Sequence, residues 1–189
     1  MDFRTSMSKY IAMEIKAMEA LDISQINQAI NAILDARERN ATIFIMGNGG
    51  SAATASHMAG DFAKGVSSSL GGKKFCFECL NDSIPIMTAI ANDICYEDVF
   101  VFQLKGQLKK EDLVIGISGS GNSENVVRAI QYAKQIGTPT IGITGYSGGK
   151  VKELCDYSMH TEINDMQITE DMHMMFDHMI MRVLEEKLK

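Results

Sequence analysis

The chain has 189 residues, 46% hydrophobic and 22% charged, and a formal net charge of −6, which together predict one globular domain spanning residues 1–189. A negative net charge without clustered Lys and Arg argues against nucleic-acid binding. The longest apolar runs are too short to cross a bilayer, so membrane insertion is not expected.

The first residues and the cysteines predict a cytoplasmic protein. Residues 1–16 lack the basic start, apolar stretch and small-residue cleavage site of a signal peptide. The four cysteines stand in apolar contexts, and a chain of this size needs no disulfides. Cys76 and Cys79 have CxxC spacing, but no second pair follows, so two packed cysteines in a buried strand are favoured over a metal or redox site.

Two amphipathic helices are predicted at the start of the chain. Apolar residues recur at helical spacing over 6–21 and 24–39, and Ser6 and Ser24 are plausible N-caps. Because these helices precede the βα units, residues 1–40 are expected to form a helical pair used in oligomerisation.

Short apolar strands then alternate with helices. The predicted elements are strand 41–47, turn 48–50, helix 51–65, strand 73–80, helices 83–93 and 96–108, strand 112–118, turn 119–122, helix 123–137, strands 138–145 and 156–163, and helix 165–189. Almost wholly apolar strands imply a parallel sheet that is covered on both faces. The predicted fold is a three-layer α/β/α sandwich with a five-stranded parallel sheet, preceded by the two N-terminal helices.

The segment Ser118–Ser123, with the sequence SGSGNS, is a candidate phosphate site. Ligands bind at the carboxyl ends of parallel strands, where the next helix offers unpaired N–H groups. The glycines let the backbone approach an anion, and three hydroxyls can donate to its oxygens. The alternative is an ordinary βα turn capped by Ser123. Neither this loop nor 47–51 matches a nucleotide-binding pattern, so nucleotides are disfavoured.

His57 and Asp61 form a second candidate group. They are four residues apart in the helix after the first glycine turn, so their side chains share one face and could share a metal ion. Spacing alone favours the simpler alternative, in which His57 is a buried, hydrogen-bonded residue and Asp61 faces water.

Several segments together resemble the SIS (sugar isomerase) domain family, and more closely its phosphoheptose isomerases. These segments are MGNGGSAATASH, AIANDICYEDVF, GISGSGNSENVVRAI and ITGYSGGKVKELCD. The likeness covers essentially the whole chain. It implies an aldose-ketose isomerase that interconverts D-sedoheptulose 7-phosphate and D-glycero-D-manno-heptose 7-phosphate, a precursor of surface glycans such as lipopolysaccharide, through an enediol with metal assistance.

The resemblance also implies roles for individual residues. Asp61 and His178 are the catalytic residues, and one divalent ion, zinc, is held by His57, Asp61, Glu170 and His178. The substrate-binding residues are Asn48, Gly49, Gly50, Ser51, Asp61, Asn92, Asp93, Ser118, Gly119, Ser120, Ser123 and Glu170. Three positions depart from the family's pattern, which has Glu at Asp61, Gln at Glu170 and a hydroxyl residue at Gly119.

The spacing of the last two residues of the metal set bears on assembly. Glu170 and His178 would lie about 12 Å apart along one helix, too far to bind one ion as helical neighbours. Either Glu170 precedes the helix and folds back, or the two residues come from different subunits. We favour the second, a homotetramer with intersubunit active sites. His173 is expected to be structural or to lie on the surface.

Two functional alternatives remain beside the heptose isomerase. One is an isomerase of another sugar phosphate, because related isomerases share the serine loop. The other is a non-catalytic SIS-domain adaptor or phosphosugar sensor, against which the retention of His57, Asp61 and His178 argues.

Overall fold

A computed structural model describes residues 1–70 and 72–188 of the chain. Within these residues, a five-stranded parallel sheet has the strand order β2-β1-β3-β4-β5. The strands are β1 (Thr42–Met46), β2 (Cys76–Cys79), β3 (Leu113–Ser118), β4 (Thr140–Thr144) and β5 (Tyr157–His160). The predicted parallel α/β sandwich is confirmed.

The helices cover both faces of this sheet. They are α1 (Arg4–Glu19), α2 (Ile23–Glu38), α3 (Gly50–Gly60), α4 (Ser67–Leu70), α5 (Ile84–Asp93), α6 (Val101–Leu104), α7 (Glu124–Ile136), α8 (Gly149–Leu154) and α9 (Met166–Leu188). A π-helical segment, Asp61–Val66, joins α3 to α4, and a 3-10 turn, Tyr96–Asp98, precedes α6. No helix in the described ranges is both long and apolar enough to span a bilayer.

The interior strand β1 shows how the sequence builds two cores. Ile43 and Ile45 pack with α2, α3 and α9 on one face, whereas Phe44 and Met46 pack with α5, α6, α7 and α8 on the other. Successive side chains of a strand point to opposite faces, so an apolar residue at every position is what a doubly covered strand requires.

The strand order determines where a ligand can bind. β1 and β3 are neighbours, and the helices that follow them, α3 and α7, pack on opposite faces of the sheet. The two helices therefore diverge beyond the carboxyl ends of β1 and β3 and leave a crevice between them, the usual ligand position in an open α/β sheet. Both predicted glycine-rich turns lie at this crevice.

The N-terminal helices are present, but their caps differ from the prediction. Asp22, not Ser24, caps α2: its carboxylate accepts hydrogen bonds from the backbone N–H groups of Ser24 and Gln25 at 3.0 and 3.1 Å. A carboxylate at this position also interacts favourably with the helix dipole. α1 begins at Arg4, with Phe3 at its N-cap position and no side-chain cap, so the prediction of Ser6 is wrong as well.

The strand around the CxxC spacing also differs. β2 lies at the edge of the sheet, and Cys76 is exposed while Cys79 is half-buried. The prediction of a buried strand with two packed cysteines is therefore wrong for Cys76, because an edge strand is covered less completely than a central one. All four cysteines, each within the described residues, are free thiols.

One predicted helix needs correction. The helix predicted over 96–108 is a 3-10 turn followed by the short α6, and the chain leaves the helix at Lys105 and turns through Gly106 with φ of +87°. The last predicted helix, 165–189, is present as α9, whose buried apolar stripe contains Met172, Phe176, Ile180 and Leu184. The predicted end at residue 189 lies outside the described residues.

Candidate active site

The serine loop leads from β3 into α7. Ser118, the last residue of β3, is buried, and its Oγ lies 3.0 Å from Oγ of Ser123. Ser123 occupies the N-cap position of α7, yet its side chain makes no capping hydrogen bond. The two hydroxyls therefore face each other in front of the helix N-terminus, where an anion would accept from both. This geometry favours the phosphate site over the ordinary capped turn.

The glycines of the loop allow a close approach of backbone to backbone. Gly121 has φ of +69°, and a Cβ added there would lie 1.8 Å from the carbonyl oxygen of Gly148. A Cβ on Gly119 would instead lie 2.9 Å from Sδ of Met166. Ser120 accepts a hydrogen bond from the backbone N–H of Asn122 at 3.2 Å, which leaves its own proton available to a ligand.

The first loop is tied to the second by a pair of interlocked amides. Asn48 Nδ2 donates to Asn125 Oδ1 at 2.8 Å, and Asn125 Nδ2 donates back to Asn48 Oδ1 at 2.9 Å. The hydroxyl of Tyr96 also donates to Asn48 Oδ1, at 2.8 Å. The side chain of Asn48 therefore positions the loop, while Gly49, with φ of +54°, turns the chain into α3. Neither Asn125 nor Tyr96 is among the site residues predicted from the sequence.

A second group of side chains comes from α3, the π-helical segment and α9. Nε2 of His57 lies 3.3 Å from Nε2 of His178 and 3.3 Å from Oδ2 of Asp61. Oδ2 of Asp177 lies 3.9 Å from the same nitrogen, within ion-pair range but too far for a hydrogen bond. One ligand atom from each of the four residues lies within 4.8 Å of the other three. We call these residues the His-Asp cluster.

The π-helical segment begins at Asp61. A π turn holds more residues than an α turn, and such insertions occur frequently at functional sites. Here it follows directly after the α-helical turn that brings His57 and Asp61 together. The helical spacing of the pair was predicted from the sequence, but the change of register after Asp61 was not.

Asp177 was missed by the sequence analysis. Its side chain is 0% exposed, and neither carboxylate oxygen has a hydrogen-bond partner within the described chain. Burial raises the pKa of this carboxyl to about 6; the negative charge of Asp61 also raises the pKa, and the two histidines oppose the shift. A polar residue in the buried stripe of α9, one position before His178, was the available signal.

The cluster fits a divalent metal ion. Zinc binds imidazole nitrogen and carboxylate oxygen at about 2.0–2.1 Å, so tetrahedral ligand atoms lie about 3.3 Å apart. The distances from His57 to Asp61 and to His178 match this separation. Two imidazoles and two carboxylates form a donor set suited to zinc. The predicted pairing of His57, Asp61 and His178 around one point is present in the structure.

Glu170 is not part of this cluster. It lies inside α9, so the alternative in which it precedes the helix and folds back is wrong. Its Oε1 lies 2.5 Å from where a Cβ on Gly50 would stand, which places the carboxylate against the first turn of α3. The positive end of that helix favours a negative charge there. Within one chain, Glu170 therefore lies beside the first loop rather than among the metal-ligand candidates.

Other predicted site residues lie at the start of α3 and at the end of α5. Ser51 is buried in the first turn of α3. Asn92 and Asp93 are exposed at the end of α5, where Nδ2 of Asn92 donates to Oδ1 of Asp93 at 2.7 Å. Their contact with a substrate stays a prediction.

His173 is structural and not on the surface. It is 1% exposed, and neither ring nitrogen has a hydrogen-bond partner among the residues described. Burial lowers the pKa of His173 to about 4, and the nearby His160 adds to this effect. The ring is therefore neutral at physiological pH.

The chain is similar to known proteins both in sequence and in structure. The family model of the SIS domain matches residues 8–145. The chain is 35% identical to a phosphoheptose isomerase of Aliarcobacter butzleri over 94% of its own length and 91% of the relative's. It is 36% identical to a probable phosphoheptose isomerase of Thermoplasma acidophilum, covering 95% and 97% of the two chains. A phosphoheptose isomerase structure from Neisseria gonorrhoeae superposes with a TM-score of 0.88 at 25% identity, covering 98% of this chain and 100% of that one.

Proposed function

The chain belongs to the phosphoheptose isomerases of the SIS domain family, and on that premise we propose that it interconverts D-sedoheptulose 7-phosphate and D-glycero-D-manno-heptose 7-phosphate. The observation that carries the proposal is that the described residues form both a phosphate site and a cluster of acid-base side chains. The serine loop at the end of β3 suits the phosphate, and the His-Asp cluster on the α3 and α9 side suits proton transfer at the carbonyl end.

The serine loop anchors the substrate. Ser118, Ser120 and Ser123 donate to the phosphate oxygens, and the N-terminus of α7 faces the negative charge. Gly119 has no hydroxyl, but its backbone N–H can donate to the same phosphate. Binding the phosphate fixes the distant end of the sugar, so the carbonyl end is held in one orientation relative to the cluster.

The proton transfers fall to Asp61 and His178. Isomerisation removes a proton from the hydroxyl-bearing carbon beside the carbonyl, passes through an enediol, and returns a proton to the former carbonyl carbon. A carboxylate has two oxygens, so Asp61 can accept the proton with one while the other faces His57. When bound at the cluster, a divalent ion supplies Lewis-acid polarisation of the carbonyl oxygen.

The remaining proposed substrate contacts are those of Ser51, Asn92, Asp93 and Glu170. Glu170 is supported by its position against Gly50 at the first loop. A carboxylate at this place accepts hydrogen bonds from sugar hydroxyls rather than binding phosphate.

We also propose that the protein is a homotetramer whose active sites are completed by neighbouring subunits. α1 supports this, because only Ala17 is buried in it while Met7, Ile11, Ile15 and Met18 are exposed. The cluster supports it too, because the side chain of His57 is 46% exposed and a neighbouring chain could exclude water from it. A cytoplasmic location belongs to the same proposal and is supported by the free cysteines.

The decisive experiment is a turnover assay on a panel of ketose phosphates of different chain length. The protein is incubated with each compound, with added zinc or with a chelator, and aldose formation is followed by NMR. We expect the heptulose phosphate to react fastest. If the protein converts only another ketose phosphate, that compound is its substrate instead. Binding without turnover of any compound would favour the adaptor or sensor alternative.

A His178→Ala variant tests the catalytic assignment. Loss of an acid-base group is expected to lower kcat by about 100-fold or more. Glu186→Gln, an exposed substitution two turns further along α9, is the control and should retain wild-type kcat. Full turnover by His178→Ala would remove this residue from the mechanism.

A further inference from the structure

We propose that Asp177 is a direct ligand of the divalent ion, so that His57, Asp61, Asp177 and His178 of a single chain form the complete protein ligand set. This inference rests on the proposed function only in assigning a divalent ion to the His-Asp cluster. It assigns Glu170 to the substrate and not to the metal, and it removes the need for a metal ligand from another subunit.

The geometry of the four ligand atoms supports this assignment. Oδ2 of Asp177 is 3.9 Å from Nε2 of His57, and the whole set is contained within 4.8 Å. An ion between these atoms would need only small side-chain adjustments to reach ordinary zinc distances. Glu170, two helical turns before His178, lies against Gly50 instead.

The burial of Asp177 is the second argument. Its side chain is 0% exposed, and both carboxylate oxygens lack a hydrogen-bond partner in the described ranges. Buried carboxylates in folded proteins are normally paired, hydrogen-bonded or bound to a metal. The side chain's immediate polar surroundings are Asp61, His57 and His178. A bound cation would satisfy Asp177 and offset the repulsion between the two carboxylates.

The position of the residue in the helix is the third argument. Asp177 and His178 are consecutive in α9, so their side chains leave the helix about 100° apart. Asp177 therefore approaches the cluster from the buried side, whereas His178 approaches from the exposed side. Together with His57 of α3 and Asp61 of the π-helical segment, they bring four ligand atoms within 4.8 Å of one another.

Metal binding by purified variants tests the proposal without reference to turnover. Co²⁺ and Zn²⁺ are titrated into metal-free wild type, Asp177→Asn and Asp177→Leu, with Co²⁺ binding read from its visible absorption and Zn²⁺ binding by calorimetry. We expect both variants to bind at least ten times more weakly, with a changed cobalt spectrum. Glu186→Gln is the control, and Glu170→Ala, which removes every side-chain ligand atom at that position, tests the rival; both should bind like wild type.

Three results would overturn the proposal: wild type that binds neither ion, Asp177 variants with wild-type affinity and spectrum, or a loss of binding in Glu170→Ala with none in Asp177→Leu. A crystal structure of the zinc-loaded wild type covers the case in which a variant does not fold. An Asp177 oxygen about 2.0–2.2 Å from the ion is expected, and one outside the coordination sphere would contradict it. Zinc binding through Asp177 without turnover of any ketose phosphate would refute the proposed function while leaving this inference intact.

Discussion

At the scale of single residues, the site depends on polar atoms that a ligand can still engage. The hydroxyls of Ser118 and Ser123 hydrogen-bond each other at 3.0 Å at the start of α7, and the side chain of Ser123 does not cap the helix. Asp177 is buried with no hydrogen-bond partner in the described chain. A buried carboxylate without a partner destabilises an isolated fold, and a bound cation would compensate for it.

Ser118→Ala is expected to weaken phosphate anchoring. A hydrogen bond to a charged group is worth about 1.5–3 kcal/mol, so the KM of the sugar phosphate should rise roughly 10- to 100-fold. Ser68→Ala, at an exposed position of α4, is the matched control and should leave KM unchanged. Steady-state kinetics gives both values, and a KM within twofold of wild type in Ser118→Ala would argue against the anchor.

His173 makes stability depend on pH. Burial lowers the pKa of His173 from 6.5 to about 4, so between these values the unfolded chain binds a proton that the folded chain does not. The stabilisation is fully present above about pH 6.5 and is lost as the pH falls toward 4, by about 3 kcal/mol in total.

Urea unfolding of wild type and His173→Met at several pH values between 4.5 and 7 measures this effect. The unfolding free energy of wild type minus that of the variant should decrease as the pH falls, because only wild type has the titrating ring. Contributions of His160 and Asp177 occur in both proteins and largely cancel in the difference. A difference that does not change with pH would contradict the prediction.

At the scale of elements, the two glycine-rich loops behave as one unit. The paired amides of Asn48 and Asn125 join the turn after β1 to the first turn of α7, and Tyr96 adds the 3-10 turn to the same network. A substrate held by one loop is therefore positioned relative to the other. The sequence placed the two turns at the same sheet edge, but it could not show this link, because a pairing across 77 residues depends on the tertiary fold.

Asn125→Ala tests the link between the loops. It leaves the amide of Asn48 with only Tyr96 as a partner, and we expect a loss of about 1–3 kcal/mol in unfolding free energy, together with a raised KM. Gln131→Ala on the exposed side of α7 should cost no more than about 0.5 kcal/mol. Urea unfolding and steady-state kinetics of both variants measure these effects. Equal unfolding free energies for the two variants would show that the Asn48–Asn125 pair is dispensable.

At the scale of the whole molecule, local patterns predicted most of the architecture. The apolar runs of β1, β3 and β4 and the periodic helices are visible without tertiary information, and so was the crevice at the two turns. The exposed edge position of Cys76 could not be predicted from the sequence, because the solvent exposure of a strand depends on its neighbours in the sheet. Asp177 was not predicted for a similar reason. Its burial depends on how α9 packs, and it lies close to Asp61 only because the fold brings two distant segments together.

The exposed face of α1 predicts how the chain assembles. Ile11 and Ile15 are 54% and 50% exposed, so an Ile11→Glu, Ile15→Glu double variant should not disturb the fold of one chain. We expect its mass by light scattering to fall below that of wild type, because buried carboxylates oppose association. Lys9→Glu is the control, because the Lys9 side chain leaves the helix roughly 160° from that of Ile11 and roughly 120° from that of Ile15. A double variant with the wild-type mass would exclude α1 from the interface.

The strand order described above has a consequence for which sugars react. The phosphate anchor belongs to the α7 side of the sheet and the His-Asp cluster to the α3 and α9 side, and the fixed pairing of β1 with β3 keeps the two at a constant separation within one chain. We expect a constant separation to favour substrates with one particular number of carbon atoms between phosphate and carbonyl. A shorter ketose phosphate should still bind by its phosphate, yet react more slowly because its carbonyl does not reach the cluster. Similar kcat values for pentulose and heptulose phosphates would show that the site does not discriminate between substrates by chain length.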